Sequence, residues 1–191
     1  MLRFLTGCTA ISYSCIDVET KANFVYTHFD VVLDNTMRCI FLVRDPRDAF
    51  LSHCYYHCKR QCIDLTSQEI REYLPKGIEE WTRLLTEAIF YKALIIQYET
   101  LCLFPEQVLL QIIKYWSLTM SQTVQDTVEQ FDSKVYKGIE RYQKYCLKWQ
   151  RDSLFTEEHN EKCWSALKSF MNQLGYTKDG HLDQHFFGGS K

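Results

Sequence analysis

The most constraining feature of this chain is the run Arg38-Cys39-Ile40-Phe41-Leu42-Val43-Arg44, followed at once by Asp45-Pro46. Its apolar residues are consecutive rather than alternating, the pattern of a central parallel strand buried on both faces. Proline is pre-organised for the first position of a helix, where its missing amide hydrogen costs nothing. The segment therefore predicts a strand over 38–44 turning directly into a helix from Arg47 to about Gln61. Two more strands are expected, at 23–28 (Phe24 and Tyr26 alternating) and at 93–98 (Ala93-Leu94-Ile95-Ile96-Gln97-Tyr98). Strands alternating with helices imply an α/β fold, a parallel sheet flanked by crossover helices.

The helices announce themselves through caps and spacing. Thr66-Ser67-Gln68-Glu69 is a capping-box pattern opening a short helix that Pro75 is expected to close. A separate helix over 77–91 would bury Trp81, Leu84, Leu85 and Ala88. Pro105 opens another, with Val108, Leu109, Ile112, Ile113 and Trp116 at helical spacing. A further helix should follow Ser121. Residues 132–155 show no clear period and read as a long basic loop. Glu157 to Leu174 reads as a closing helix, with Cys163, Leu167, Phe170, Met171 and Leu174 inward and Gly175 as its stop. One domain over 1–176 and a loosely ordered tail over 177–191 account for the chain.

Of the 191 residues, 46% are hydrophobic and 24% are charged, and the net charge is -2, a globular composition that excludes disordered and fibrous classes. A sequence pI near 6.3 speaks against nucleic acid as a partner. No stretch approaches the roughly 20 apolar residues that span a bilayer, so no membrane segment is expected. Nine cysteines beside long core-like patterns point to free thiols in a reducing, cytoplasmic setting.

Ligands of open α/β sheets sit beyond the carboxyl ends of the strands. His28, Arg44 and Tyr98 fall there, one after each expected strand, and Ser52 lies eight residues past Arg44 on the following helix. A guanidinium fork, a hydroxyl and the amides of a helix start together describe an anion site suited to phosphate. Arg47 either joins it or is solvated.

At these residues the chain resembles a family. Phe41-Leu42-Val43-Arg44-Asp45-Pro46-Arg47-Asp48-Ala49-Phe50-Leu51-Ser52-His53-Cys54-Tyr55-Tyr56-His57 looks like the 3'-phosphate-binding segment of sulfotransferases that use 3'-phosphoadenylyl sulfate (PAPS). Tyr26-Thr27-His28-Phe29 resembles the Lys-(Thr/Ser)-His segment carrying that family's base, with Tyr26 in place of the Lys. Tyr98-Glu99-Thr100-Leu101 resembles its Tyr-Glu-Asp-Leu segment beside the adenine. Gln130-Phe131-Asp132 is similar to the adenine-side Phe, and Phe155 to Tyr176 to the closing helix.

The resemblance implies a P-loop-containing nucleotide hydrolase-like sulfotransferase fold, and transfer of a sulfuryl group from PAPS to a hydroxyl or amine of a small-molecule or carbohydrate acceptor. It implies His28 as the base, Arg44 and Ser52 on the 3'-phosphate, Tyr98 near the adenine, and no metal. The family's Lys-Ser-Gly-Thr-Thr-Trp loop for the 5'-phosphosulfate has no counterpart here, and Met1-Leu2-Arg3-Phe4-Leu5 resembles the helix after it. The expectation is a chain that lacks the first strand and phosphate loop. The Arg-Lys-Gly clamp has only Lys137-Gly138 or Arg141 as counterparts. The rival from another class is a non-catalytic nucleotide-binding or interaction domain that keeps the fold. A third reading makes Cys54, Cys58 and Cys62 with His53 and His57 a metal- or redox-responsive helix, against a plain buried stripe of small residues flanked by histidines.

Overall fold

The computed structural model describes residues 10–12, 24–26, 38–118, 123–126 and 138–180. Its strands form two parallel pairs. Ala10–Ser12 (β1) lies beside Phe24–Tyr26 (β2), with Ala10 opposite Phe24 and Ser12 opposite Tyr26. Ile40–Val43 (β3) pairs with Leu94–Gln97 (β4), with Ile40 opposite Leu94 and Val43 opposite Gln97. Helices Pro46–Gln61 (α1) and Ser67–Phe90 (α2) make the crossover between β3 and β4. After β4 come Tyr98–Leu103 (α3), Pro105–Trp116 (α4), Gly138–Tyr145 (α5), Lys148–Arg151 (α6) and Glu157–Gln173 (α7).

The architecture is α/β with parallel strands and is mostly helical. The expected single sheet is not what the described residues form: β2 pairs with β1, whose Ala-Ile-Ser is too short to reveal an alternation, and only β3 and β4 share the second pair. With one partner strand among the described residues, β3 is not buried all round, and Leu42 stands 50% exposed. Its neighbours obey the two-residue period of a strand. Phe41, Val43 and Ile95 meet the main core built by α1, α2 and α7, whereas Ile40, Leu94 and Ile96 meet Val108 and Ile112 of α4.

Helix α1 opens as expected, with Asp45 as N-cap and proline at its first position. Helix α2 opens on the Thr66–Glu69 capping box but runs unbroken through Pro75. The two helices expected on either side of that proline are one. The buried positions Ile70, Leu74, Gly77, Trp81, Leu85 and Ala88 keep helical register across it, and burying that stripe outweighs the roughly 3 kcal/mol that an internal proline costs. Gly77 permits the close approach of α1: a β-carbon there would sit 3.1 Å from Cδ1 of Phe50 and 2.8 Å from Cε1 of Tyr73.

A further expectation is revised. The long basic loop is helical over α5 and α6, anchored by the buried side chains of Cys146 and Trp149. Tyr142, Cys146 and Trp149 recur at helical spacing, a signal diluted in the sequence by the intervening lysines and arginines. The chain just past α7 is tied to the core: Tyr176 is 2% exposed, and the carbonyls of Thr177 and Lys178 receive hydrogen bonds from Arg47. Gly175 ends α7 with φ +74°, and Tyr176 N–H returns to the Met171 carbonyl at 2.8 Å, the closure that a left-handed glycine allows. The helix expected after Ser121 is described only over 124–126, with Val124 buried.

Candidate functional site

The carboxyl end of β3 delivers Arg44 to a turn whose geometry is set by the helix behind it. Two turns into α1, Ser52 comes round to the same side, and Arg44 Nη1 donates to its hydroxyl at 3.1 Å. Helix α3 starts immediately after β4, so its first residue, Tyr98, lies beside the end of β3. The Arg44 guanidinium sits 5.6 Å from the Tyr98 ring centroid, a cation–π arrangement. Nη2 donates to the Tyr145 carbonyl at the end of α5 and lies 3.9 Å from the Asp48 carboxylate. Nε is buried with no hydrogen-bond partner among the described residues. The arginine is thus pointed by its surroundings with its Nε–H left over, which suits an oxyanion. Arg44, Ser52 and Tyr98 come together; His28 and Phe131 lie outside the described residues, as does Lys137, while Arg141 belongs to α5.

Arg47 and the helix start behave differently from the sequence expectation. Arg47 is 0% exposed and neither solvated nor available to a ligand. Its five N–H donors are all taken. Nε and Nη2 grip the two oxygens of Asp45 at 2.9 and 2.7 Å, and Nη2 also reaches the Thr177 carbonyl at 2.9 Å. Nη1 reaches Asn160 Oδ1 at 3.1 Å and the Lys178 carbonyl at 2.6 Å, while the guanidinium lies 4.1 Å above the Trp149 ring. The first free amide of α1, that of Arg47, donates to Asp45 Oδ1 at 2.9 Å. A carboxylate of the chain itself therefore caps the helix start proposed for an external anion.

Two buried acids complete the floor. Asp48 accepts from the amides of Leu147 at 2.6 Å and Trp149 at 3.1 Å, tying α1 to α6. Burial, and then the charge of Asp45, push its carboxyl up to about 6. Glu99 accepts from the Asp45 amide at 2.9 Å and from the Tyr176 hydroxyl at 2.8 Å. Burial raises it to about 7 despite those bonds. Glu99 escaped the sequence reading although it adjoins Tyr98, because an acid in a short helix is ordinarily solvated.

On the α5–α6 surface, an open depression of about 230 Å³ is lined by Lys144, Lys148, Arg151 and Asp152. Lys148 Nζ lies 3.6 Å from the Tyr55 ring centroid, and Tyr55 donates to Asp152 at 2.7 Å. Burial lowers the Lys148 pKa, and the Arg44 charge adds to this. Arg151 is held by the carbonyls of Gln143 and Cys146 at 2.7 and 3.0 Å. These cations belong to the stretch rich in Lys, Arg and Tyr, where composition alone did not single out individual residues.

The cysteine stripe of α1 is interrupted: Cys54 and Cys58 are buried, but Cys62 is exposed beyond the helix with φ +56°. His53 stacks on Tyr73 at 4.5 Å, with the His57 ring 6.3 Å away. Among the described residues no group of three or more His, Cys, Asp or Glu could hold a metal ion, and no helix is long and apolar enough to cross a membrane. In comparisons with known proteins, no family model, no curated protein and no solved structure matches this chain.

Proposed function

We propose that Arg44, Ser52 and Tyr98 form a cradle for a nucleoside phosphate, and that the chain derives from PAPS-dependent sulfotransferases. The observation that carries this reading is the convergence of the three side chains at the carboxyl end of the β3–β4 pair, with Arg44 Nε buried and without a partner among the described residues. Arg44 and Ser52 would hold the 3'-phosphate and Tyr98 would flank the adenine. In the reaction, His28 takes the proton of an acceptor hydroxyl or amine. The acceptor atom then bonds to the PAPS sulfur as the bond to the bridging oxygen breaks, releasing adenosine 3',5'-bisphosphate. The acceptor is a small molecule or carbohydrate. A non-catalytic domain that keeps only the cradle would bind the bisphosphate without turning over PAPS.

The test is a thermal shift with adenosine 3',5'-bisphosphate on the native chain and on Arg44→Ala and Ser52→Ala. Ligand at 100 times its Kd stabilises a binder by about 2.7 kcal/mol. The expected result is a clear shift in the native chain, reduced in Ser52→Ala, lost in Arg44→Ala, and weaker with adenosine 5'-monophosphate. A folded native chain that shows no shift, or variants that respond equally, would overturn the cradle. PAPS turnover with an acceptor panel then separates enzyme from binding domain.

A further inference from the structure

His53 and His57 stand one turn apart on α1, at the four-residue spacing that brings two side chains to one face of a helix. Both are exposed. Their rings lie 6.3 Å apart, centroid to centroid, and within 14° of parallel. His53 is held from the neighbouring helix, stacking on Tyr73 of α2 at 4.5 Å and 10°. The cysteines of the same helix turn the other way: Cys54 and Cys58 are each 3% exposed and belong to the core. Cys62 lies beyond the end of the helix. The outward donors at this place are therefore two imidazoles, and no third His, Cys, Asp or Glu joins them among the described residues.

We propose that His53 and His57 form a two-imidazole site for a divalent transition-metal ion, with water in the positions that the protein leaves open. Imidazole suits zinc, copper and nickel, whereas magnesium and calcium take oxygen ligands. Two histidines four apart on one face is the spacing by which metalloprotease helices present a pair of zinc ligands. Cys54 stands here where those helices carry a glutamate base, so the pair is a binding site and not a hydrolytic one. Metal–nitrogen bonds of about 2.0–2.1 Å put two imidazoles of one tetrahedral ion about 5 Å apart, centroid to centroid. The 6.3 Å seen here closes to that distance when the exposed His57 ring turns toward His53, which Tyr73 already holds. The ion staples adjacent turns of α1. The inference is independent of the nucleotide reading, since it uses none of Arg44, Ser52 or Tyr98.

The experiment treats the full chain with diethyl pyrocarbonate in the presence of Ni²⁺, Zn²⁺ or Mg²⁺, or with no added metal, and maps the modified histidines by mass spectrometry. The expected result is that Ni²⁺ and Zn²⁺ each shield both His53 and His57, while Mg²⁺ at the same concentration shields neither. Calorimetric titration with Ni²⁺ then compares the native chain with His57→Ala and with His53→Phe, in which the ring stacked on Tyr73 is kept and only the ligand nitrogen is lost. Each variant should bind about tenfold more weakly or worse. Failure of Ni²⁺ and Zn²⁺ to shield either histidine, equal shielding by Mg²⁺, or unchanged affinity in either variant would each overturn the site. Shielding in the native chain settles the matter where a variant does not fold.

Discussion

At the scale of single residues, Glu99 makes the sharpest prediction. The folded state keeps its carboxyl protonated up to about 7, against an ordinary value of 4.5, because burial penalises the charge. Between those values the native state binds more protons than the unfolded chain, so stability falls as pH rises through the window. Its contribution is full below about 4.5 and lost above about 7, and Asp48, raised to about 6, acts in the same direction. Glu99→Gln keeps the geometry: the amide oxygen accepts from Asp45, and the amide nitrogen donates to a Tyr176 hydroxyl turned into an acceptor. The variant should gain on the native protein by about 2–3 kcal/mol between pH 5 and pH 8 in urea unfolding. A gap that stays constant with pH would mean that Glu99 does not titrate there. None of this could be read from Tyr98-Glu99-Thr100 alone, since the partners of Glu99 are 54 and 77 positions away.

At the scale of elements, local signals were reliable where the decisive interaction is local. Asp45-Pro46, the Thr66–Glu69 box and Gly175 all mark ends that the structure uses. Pro75 is the instructive failure. It defies the local rule against an internal proline, and the rule loses to an apolar stripe visible in the same sequence at 70, 74, 77, 81, 85 and 88. Reading the stripe through the proline, instead of stopping at it, finds the continuous α2. Because Pro75 is exposed, replacing it recovers helix propensity without disturbing the core. Pro75→Ala should raise unfolding stability by about 1–2 kcal/mol, after allowing for the freer unfolded chain. Loss of stability on this change would show that the proline shapes α2 in a way the packing needs.

At the scale of the whole molecule, Arg47 is the knot. It joins the β3–α1 turn to Asn160 of α7 and to the chain just past Tyr176, through five hydrogen bonds and the face of Trp149. Lysine keeps the charge but offers three donors in place of a planar five-donor fork. Arg47→Lys should therefore cost about 2–4 kcal/mol, read from the urea midpoint, by leaving buried acceptors unmet. A near-native midpoint would mean that the site relaxes around the smaller cation.

The same residue marks the boundary between what sequence and tertiary structure each decide. Arg44 and Ser52 are eight positions apart on a strand, a turn and a helix, so their meeting follows from local geometry and is legible in the chain alone. So are the parallel run of β3, the start of α1 and the inward faces of α4 and α7. The tertiary structure alone set Tyr98 against Arg44, buried Glu99 and turned Arg47 from a candidate ligand into a clamp. A short-range pattern specifies backbone direction and which face is apolar. Whether an arginine is solvated, bound to an anion or locked inside depends on acceptors up to 131 positions distant, and no local signal carries that information.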